Sequence, residues 1–534
     1  MNEIGARARR NTIGDAVRRA GARFRDRPAL RFGERAWCFA EIDLAADRVA
    51  RFLLARGLRQ GDRVVAYGKN SDAYLFLWLG CARAGLVHVP ANFALTAAEL
   101  DYILRQCGAA AVFAQPALRV TADQAGGEVL RGTIDAGAGE HDILAAAGDP
   151  RWGQPGDAEA GEGVQDTDLV QLQYTSGTTG QPKGAMMTHR AILAEYSSVT
   201  IELEMRRDDR ALAALPLYHT AQMHCFTMPQ MLTGAFTLLI EAPQPALVLE
   251  LIERERITSF FAPPTVWITL LQHPDFGRRD LSSLRNIYYG ASIMPVPVLQ
   301  ELRQRLPGAR PFNCYGQSEI APLATVLRPE EHDARPGSVG RPVLNVETRV
   351  VDAEMRDVAP GERGEVIHRS PQLCLGYWNM PEETARAFEG GWFHSGDVAT
   401  IDAEGYLAIV DRTKDLINTG GVLVASREVE EALFTHPAVA EVAVIAVPDP
   451  KWIEAVAAVV VLRPEAPMDV EAALLAHARE HLAPYKVPKR IILADSLPKN
   501  TAGKLLKREL RQHYAGTASG ALGLDRPGPE RSGA

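Results

Sequence analysis

The segment that decides the fold is Tyr174-Thr-Ser-Gly-Thr-Thr-Gly-Gln-Pro-Lys-Gly184, which directly follows the apolar run DLVQLQY. Its glycines let the backbone approach a polyanion closely and point N–H groups inward. Four hydroxyl side chains add hydrogen-bond donors, and Lys183 supplies a cation. The segment differs from the GxxxxGK[ST] loop, and Pro182 interrupts an immediate helix start. A flexible turn seldom combines these residues, so the segment predicts a phosphate-binding loop at the end of a strand.

Strand and helix signals alternate on the N-terminal side of this loop. DRVVAYG (residues 62–68) has the pattern of a buried strand, SDAYLFLWLGCARAG (71–85) that of an apolar helix, and LVHVPAN (86–92) that of a second strand. Thr96 and Glu99 have the spacing of a capping box that opens the next helix. Strands separated by helices imply right-handed crossovers and a largely parallel sheet.

The sequence changes character after Asp411. A short helix, a strand, an amphipathic helix and a final strand follow one another and predict a small α+β unit. We therefore predict an α/β protein with a large N-terminal AMP-binding domain (1–411), in which mostly parallel sheets of several subdomains are flanked by helices. A small C-terminal α+β domain (412–514) and a disordered tail (515–534) complete the prediction. Residues 135–165 are rich in Gly, Ala and Asp and predict an irregular surface connection.

The composition, with 46% hydrophobic and 23% charged residues, is that of a globular protein. A net charge of -8 argues against a nucleic-acid partner, because no basic excess exists to replace condensed counterions. Six cysteines without a CxxC pair favour reduced thiols over a disulfide framework or a zinc site. The Arg-rich start lacks the apolar core of a signal peptide, and no run approaches the ~18 apolar residues of a membrane span. We expect a cytoplasmic protein without a transmembrane segment.

The phosphate loop resembles the signature loop of the adenylate-forming superfamily, which contains acyl-CoA synthetases, firefly luciferase and nonribosomal-peptide adenylation domains. Four further segments resemble motifs of that superfamily and occur in the same order: Asn313-Cys-Tyr-Gly-Gln-Ser-Glu319, Gly391-Trp-Phe-His-Ser-Gly-Asp397, Asp411-Arg-Thr-Lys-Asp415 and Pro498-Lys-Asn-Thr-Ala-Gly-Lys504. Taken alone, the shorter segments fit ordinary loops or charged turns. Their order and spacing favour a fatty acyl-CoA synthetase, or AMP-dependent acyl-CoA ligase, over nearly the whole chain.

The resemblance implies a role for each matched residue. Glu319 would bind the Mg²⁺ that bridges the phosphates, since Mg²⁺ prefers hard oxygen ligands. Tyr315 would stack on adenine, and Asp397 would accept hydrogen bonds from the ribose hydroxyls. A mobile C-terminal domain that turns about the hinge residue Lys414 would deliver the catalytic Lys504. The expected ATP- and AMP-binding residues are Thr175, Ser176, Gly177, Thr178, Thr179, Gly180, Lys183, Gly290, Ala291, Ser292, Asn313, Tyr315, Gly316, Gln317, Ser318, Asp397, Arg412 and Lys504. The expected catalytic residues are Lys504, Glu319, Thr178 and His219.

Two segments resemble those that border the acyl channel of fatty acyl-CoA synthetases. The first, Leu215–His224, places His219 at a gating position, although a hydrogen-bonded packing histidine fits equally well. The second, Tyr288–Pro295, contains Gly290, whose missing side chain would leave a tunnel open. Apolar surroundings without an Asp or Lys to pair an ammonium group favour a mainly apolar, medium- or long-chain acid, with the chain length open. The expected acyl-pocket residues are His219, Met223, Tyr288 and Gly290.

The turn that starts at Thr419 resembles the thiol-binding turn of these ligases and places Gly420 and Gly421 at CoA. It departs from the common form at Asn418, where several relatives carry lysine, and at Ser426, where proline is frequent. Carrier-protein-specific ligases tend to have a long insertion between the positions of Val346 and Asp397, and this chain has none. CoA is therefore favoured over an acyl carrier protein as the thiol that receives the acyl group. The carrier protein stays an open alternative, and so does a homodimer with a second copy of the chain.

The motif set predicts carboxylate activation with ATP, Mg²⁺ and CoA. Attack of a small-molecule carboxylic acid on the α-phosphorus of ATP makes AMP a leaving group, and catalysis then requires charge neutralisation and in-line positioning. One alternative is a stand-alone acyl-AMP ligase that loads an acyl carrier protein. Another is a nucleotide-binding protein without turnover. An esterase is excluded, because the sequence has no GxSxG nucleophile elbow.

Overall fold

The computed structural model describes residues 8–157, 159–175, 181–292, 294–412, 415–419, 422–449, 452–464, 466–467, 470–501 and 505–514. The predicted tail, 515–534, lies outside the described residues. The chain divides into two compact units, of which the first contains residues 1–409 and 501–504 and the second contains 410–500 and 505–534. The division thus falls two residues before the position expected from the sequence.

Strands and helices are numbered in chain order. The described strands are β1 (Pro28–Phe32), β2 (Arg35–Cys38), β3 (Arg63–Tyr67), β4 (Val87–Ala91), β5 (Ala109–Ala114), β6 (Leu130–Thr133), β7 (Leu169–Thr175), β8 (Lys183–Thr188), β9 (Arg210–Ala213), β10 (Phe236–Leu239), β11 (Ser259–Phe261), β12 (Asn286–Gly290), β13 (Arg310–Gly316), β14 (Leu323–Leu327), β15 (Arg341–Pro342), β16 (Glu347–Val351), β17 (Arg363–Arg369), β18 (Phe393–Ile401), β19 (Leu407–Arg412), β20 (Ile417–Thr419), β21 (Val422–Val424), β22 (Val439–Asp449), β23 (Ile453–Leu462) and β24 (Arg490–Leu493).

The described α-helices are α1 (Ile13–Phe24), α2 (Phe39–Ala55), α3 (Asp72–Ala84), α4 (Ala97–Cys107), α5 (Arg119–Gln124), α6 (Ile143–Gly148), α7 (His189–Glu202), α8 (Met228–Thr233), α9 (Pro245–Arg254), α10 (Pro264–Gln272), α11 (Val296–Arg305), α12 (Pro381–Ala387), α13 (Ser426–Phe434), α14 (Glu471–His481) and α15 (Lys507–Tyr514). A π-helix, Ala221–Thr227, precedes α8. Of the helices that the structure describes, none combines the length and the apolar character needed to cross a bilayer.

Two large sheets organise the described part of the first unit. One has the strand order β6-β5-β3-β4-β7-β8 and is parallel except between β7 and β8. The other has the order β15-β14-β13-β12-β11-β9-β10-β1-β2 and is parallel from β13 to β1. The predicted α/β fold with mostly parallel sheets is confirmed. A smaller antiparallel sheet, β16-β17-β18-β19, completes this region.

Local signals account for the helix ends that the sequence predicted. Thr96 caps α4 by accepting a hydrogen bond from the Glu99 N–H, and the Glu99 carboxylate accepts one from the Thr96 N–H at 2.8 Å. The capping box is therefore confirmed. The connection predicted to be irregular instead contains α6, which is capped by Asp142. This helix has only six residues, too few to show a helical period in the sequence.

The described part of the second unit is built on β21-β20-β23-β22, with β24 parallel to β23. The long antiparallel pair β22–β23 buries one face against α13 and α14, where Val429, Leu433 and Leu474 are fully buried. The predicted order of helix, strand, helix and strand is confirmed. β23, between the predicted strands, was not predicted.

Candidate active site

The predicted phosphate loop connects β7 to β8. Thr175 is the last residue of β7 and pairs with Lys183, the first residue of β8, in an antiparallel register. Ser176, Gly177, Thr178, Thr179 and Gly180 lie outside the described residues, so their phosphate-binding roles stay predictions. Thr175 and Lys183 are described, and they mark where the loop begins and ends.

Glu319 is the point at which three distant segments meet. Its carboxylate is buried at 8% exposure and lies in the short 3₁₀ turn Ser318–Ile320 after β13. It accepts hydrogen bonds from Thr175 Oγ1 (3.1 Å) and from the Tyr377 hydroxyl (3.1 Å). Burial, followed by the nearby Glu319 charge, raises the pKa of Tyr377, so its hydroxyl stays a neutral donor. A hard carboxylate held by two hydroxyls fits the few protein contacts that Mg²⁺ makes beside substrate phosphates.

Tyr377 was missed by the sequence analysis. The loop 375–378 runs along β8, where the Met186 N–H donates to the Gly376 carbonyl (2.9 Å) and the Trp378 N–H donates to the Gly184 carbonyl (2.8 Å). This backbone pairing places Tyr377 next to Thr175 and Glu319. It depends on main-chain hydrogen bonds between segments almost 200 residues apart, and no local sequence pattern predicts such bonds.

Lys183 is buried and forms an ion pair with Glu383 of α12. Its ammonium group also lies 5.2 Å from the centroid of the Tyr377 ring. The hydrogen bond from Lys183 holds the pKa of Glu383 below its usual range. The predicted phosphate cation therefore lies next to the Glu319 cluster, with a carboxylate as its partner. Its contact with phosphate stays a prediction.

A buried network supports the backbone around Glu319. Glu195 of α7 is fully buried and accepts the Leu323 N–H at 3.0 Å. The Gln372 side-chain amide donates to Glu195 (2.6 Å) and to the Leu323 carbonyl (3.0 Å). Burial raises the pKa of the Glu195 carboxyl well above its usual value. The turn that carries Glu319 is thus attached to α7 and to the segment after β17, by residues that the sequence analysis did not identify.

Asp397 joins two of the predicted motifs. It is 3% exposed in β18, and its Oδ2 accepts hydrogen bonds from the Tyr315 hydroxyl (2.7 Å) and from Gln317 Nε2 (2.8 Å). Gln317 Nε2 also donates to the Ser395 carbonyl at 2.8 Å. The predicted adenine and ribose residues therefore lie together, Tyr315 near the end of β13 and Asp397 in the middle of β18.

Other described residues that were predicted to bind nucleotide lie in β13 or directly after β12 and β13. Ser318 Oγ lies 3.0 Å from Thr220 Oγ1, and Asn313 Nδ2 donates to the Ser338 carbonyl at 2.9 Å. Ala291 and Ser292 follow β12 and are exposed. A Cβ on Gly316 would lie 1.9 Å from the Pro322 carbonyl oxygen, so only glycine fits this turn.

Gly290 has a structural reason that differs from the predicted open tunnel. A Cβ at this position would lie 2.2 Å from the Cys314 carbonyl oxygen of the neighbouring strand β13. Close backbone approach between the strands therefore requires glycine here. An acyl-binding role for Gly290 stays a prediction.

A stack of aromatic rings lies directly after the first predicted acyl segment and includes Tyr288 of the second. The π-helix Ala221–Thr227 begins two residues after His219 and contains Met223, which is buried. Its Phe226 ring stacks on Phe261 at 4.1 Å between centroids and packs on Tyr288 at 5.1 Å. The Tyr288 hydroxyl donates to the Leu203 carbonyl at 3.0 Å. A cavity of about 10 Å³ borders these rings, which is room for one water molecule.

His219 and His224 differ in environment. His219 is half-buried, and its Nδ1 accepts the Ala221 N–H at 3.3 Å. His224 is buried between the Tyr196 hydroxyl (2.8 Å) and Gln171 Oε1 (2.9 Å), and burial lowers its pKa to about 3. His224 is thus a neutral packing residue, whereas a gating role for His219 stays a prediction.

Fewer of the predicted residues of the C-terminal motifs are described. Arg412 is half-buried at the end of β19, and its N–H donates to Asp411 at 2.8 Å. Asp411 also accepts from the Ser426 N–H (2.6 Å) and hydroxyl (2.8 Å), which accounts for a serine at that position. Lys414, Gly420, Gly421 and Lys504 lie outside the described residues. Thr501, which belongs to the first unit, hydrogen-bonds with Tyr218 and donates to Asn92 Oδ1 at 3.3 Å.

Comparison with known proteins agrees with this geometry. Residues 17–378 match the model of the AMP-binding enzyme family, and residues 428–504 match that of the AMP-binding enzyme C-terminal domain. A feruloyl-CoA synthase from an Amycolatopsis species is 40% identical over 91% of this chain and 96% of its own length. A long-chain-fatty-acid–CoA ligase from Salmonella typhimurium is 34% identical over 93% of each chain. ATP-bound MatB from Rhodopseudomonas palustris has a similar structure, with a TM-score of 0.86, 31% identity and coverage of 95% of this chain and 100% of its own.

The two family-model matches fall in both units, and the first of them includes Thr175, Glu319 and Tyr377. The chain belongs to the AMP-binding enzyme family, within the adenylate-forming superfamily, and is an acid–thiol ligase of the acyl-CoA synthetase type.

Proposed function

We propose that this acyl-CoA synthetase activates a mainly apolar carboxylic acid in two steps. In the first, a carboxylate oxygen forms a bond to the α-phosphorus of ATP, the bond from that phosphorus to the β-bridging oxygen breaks, and pyrophosphate leaves. In the second, the CoA sulfur forms a bond to the acyl carbon, AMP leaves with the electron pair, and the thiol proton passes to solvent. The observation that carries the proposal is the meeting of Thr175, Tyr377 and Glu319 beside the Tyr315–Asp397 pair.

The described residues have distinct tasks in this proposal. Tyr315 and Gln317 orient Asp397 so that its carboxylate can receive the ribose hydroxyls. Thr175 and Tyr377 hold Glu319, which would bind Mg²⁺; when bound, this ion neutralises charge on the phosphates. Lys183 has to exchange Glu383 for phosphate oxygen as ATP binds. Preorganised groups of this kind lower the barrier by stabilising charge that develops in the transition state.

Two classes of acid fit an apolar pocket. The sequence favours a medium- or long-chain fatty acid, and the similarity to the Salmonella ligase supports that candidate. The aromatic stack of Phe226, Phe261 and Tyr288 favours a more compact acid, because these large rings pack against one another at Tyr288, a predicted acyl-pocket residue. The 40% identity to a feruloyl-CoA synthase supports a compact aromatic acid such as an arylpropenoate. We favour this second candidate.

The first prediction separates these candidates. Pyrophosphate release should require ATP, Mg²⁺ and an apolar acid, and kcat/KM should be higher for ferulate than for palmitate. Amino acids should be poor substrates, because an ammonium group would be buried without a partner. Assays with CoA and with a phosphopantetheinylated carrier protein then identify the thiol, for which we expect CoA. Equal rates with amino acids would contradict the pocket assignment, and a clear preference for palmitate would restore the fatty-acid candidate.

The second prediction concerns the ring that limits the pocket. Phe226→Leu should raise the palmitate-to-ferulate ratio of kcat/KM by about tenfold, since one methylene in an apolar pocket is worth ~1–3 kcal/mol. Phe113→Leu is the matched control, because Phe113 is also a buried phenylalanine but belongs to β5 of the other large sheet. An unchanged ratio in Phe226→Leu, or the same shift in Phe113→Leu, would mean that the acyl group lies elsewhere.

A further inference from the structure

The end of α14 in the second unit carries a cluster of possible metal ligands that the proposed reaction does not use. His477, Glu480 and His481 each offer one donor atom, and the three donor atoms lie within 4.8 Å of one another. His477 and His481 are one helical turn apart, the spacing at which two histidines on one helix face bind zinc. The rings of these two histidines lie 4.1 Å apart between centroids.

Hydrogen bonds fix which nitrogen of each histidine carries the proton. His477 Nε2 lies 3.1 Å from the Ala432 carbonyl, and His481 Nδ1 lies 2.9 Å from the His477 carbonyl. A carbonyl oxygen only accepts hydrogen bonds, so these two nitrogens are the donors. The lone pairs are therefore on Nδ1 of His477 and Nε2 of His481. Metal-binding histidines commonly donate their other N–H in this way, which orients the ring and raises its basicity.

The surroundings of the cluster also favour a cation. His481 is the last residue of α14, and His477 contacts Ala432 and Thr435 at the C-terminal end of α13. The C-terminal ends of helices carry partial negative charge, and Glu480 adds a full negative charge. Glu480 is exposed, so its carboxylate can rotate toward the ligand separations of about 3.4 Å that tetrahedral zinc requires.

We infer that His477, Glu480 and His481 form a binding site for a divalent transition metal, with zinc as the representative ion. Two imidazoles and a carboxylate suit zinc, nickel or copper better than Mg²⁺, which prefers an all-oxygen shell. Three protein ligands leave the fourth tetrahedral position to water. The bound ion would connect the last turn of α14 with the end of α13 through His477.

The third prediction tests this site by calorimetric titration of the full-length protein with Zn²⁺, with Mg²⁺ in excess and no nucleotide. The wild-type protein should bind one Zn²⁺ at this site. His481→Ala should weaken its affinity by at least about 100-fold, because changing even an outer-shell partner costs 10–100-fold. Thr435→Val should weaken it by about tenfold, since the Thr435 hydroxyl lies 2.7 Å from His477 Nε2 and helps to orient that ring.

The matched control is His513→Ala, which removes an exposed histidine of α15 outside the cluster and should leave Zn²⁺ binding unchanged. Glu480→Gln keeps both imidazoles and provides a second variant if His481→Ala does not fold, with an expected loss of at least about tenfold. The inference is wrong if the wild-type protein binds no Zn²⁺, or if both cluster variants bind it as tightly as the wild type. Loss of the site would leave the proposed acyl-CoA synthesis untouched, so the two proposals fail separately.

Discussion

Replacing Lys504 with alanine is expected to slow acyl-adenylate formation by about 10²–10³-fold, or ~2.7–4 kcal/mol, which is the usual cost of losing one preorganised donor to a charged transition state. The conversion of preformed acyl-AMP and CoA to acyl-CoA should stay close to the wild-type rate. In the proposed mechanism Lys504 acts only in the first half-reaction. The lysine stabilises charge that develops as pyrophosphate leaves, and that charge is absent from the second step.

The two half-reactions have to be measured separately to test this prediction. The first is followed by pyrophosphate release, and the second by thioester formation from chemically prepared acyl-AMP. Lys499→Ala is the matched control, because Lys499 belongs to the same motif but is already paired with Glu441 at 2.6 Å. It should retain both activities. Lys414→Pro should give the opposite pattern, with adenylation kept and thioester formation lost, since a fixed φ would block rotation at the proposed hinge. Equal loss of both steps in Lys504→Ala would contradict the mechanism.

Glu319→Gln is expected to give the second large effect, a loss of at least about 100-fold in apparent Mg²⁺ affinity, because even an outer-shell change near a metal costs 10–100-fold. A neutral amide is a poorer ligand for a hard cation than a carboxylate. The fold should persist, since the amide oxygen can still accept the hydrogen bonds of Thr175 and Tyr377. The measurement is the rate of pyrophosphate release as a function of Mg²⁺ concentration at fixed ATP.

Two comparisons make this result specific. Glu347→Gln changes an exposed carboxylate of β16 in the same way and should leave the Mg²⁺ dependence unaltered. Thioester formation from preformed acyl-AMP should also be unaffected by Glu319→Gln, because the β- and γ-phosphates have left by then. An unaltered Mg²⁺ dependence in Glu319→Gln would assign the metal to another group.

Much of the fold follows from local features of the sequence. The alternation of apolar strands and helices before Thr175 predicts a parallel sheet, and the Thr96–Glu99 capping box marks the start of α4. These signals are local because helix caps and strand periods depend on residues within a few positions of one another. The order of the glycine-rich loop, the Tyr315 and Asp397 motifs and the Lys504 motif was sufficient to identify the superfamily. A contiguous motif can be recognised in a linear sequence because its residues are neighbours in the chain.

Only the tertiary structure shows which side chains meet. Tyr377 reaches Glu319 because the 375–378 loop pairs with β8, and Glu195 supports the same turn from α7. The Cys314 carbonyl beside Gly290 requires glycine at this position, and no local pattern in the sequence shows that contact. Similarly, the sequence places two histidines on α14, but the proton positions on His477 depend on Ala432 in α13. In each case the deciding contact joins residues far apart in the chain, and chain folding, rather than local propensity, determines those distances.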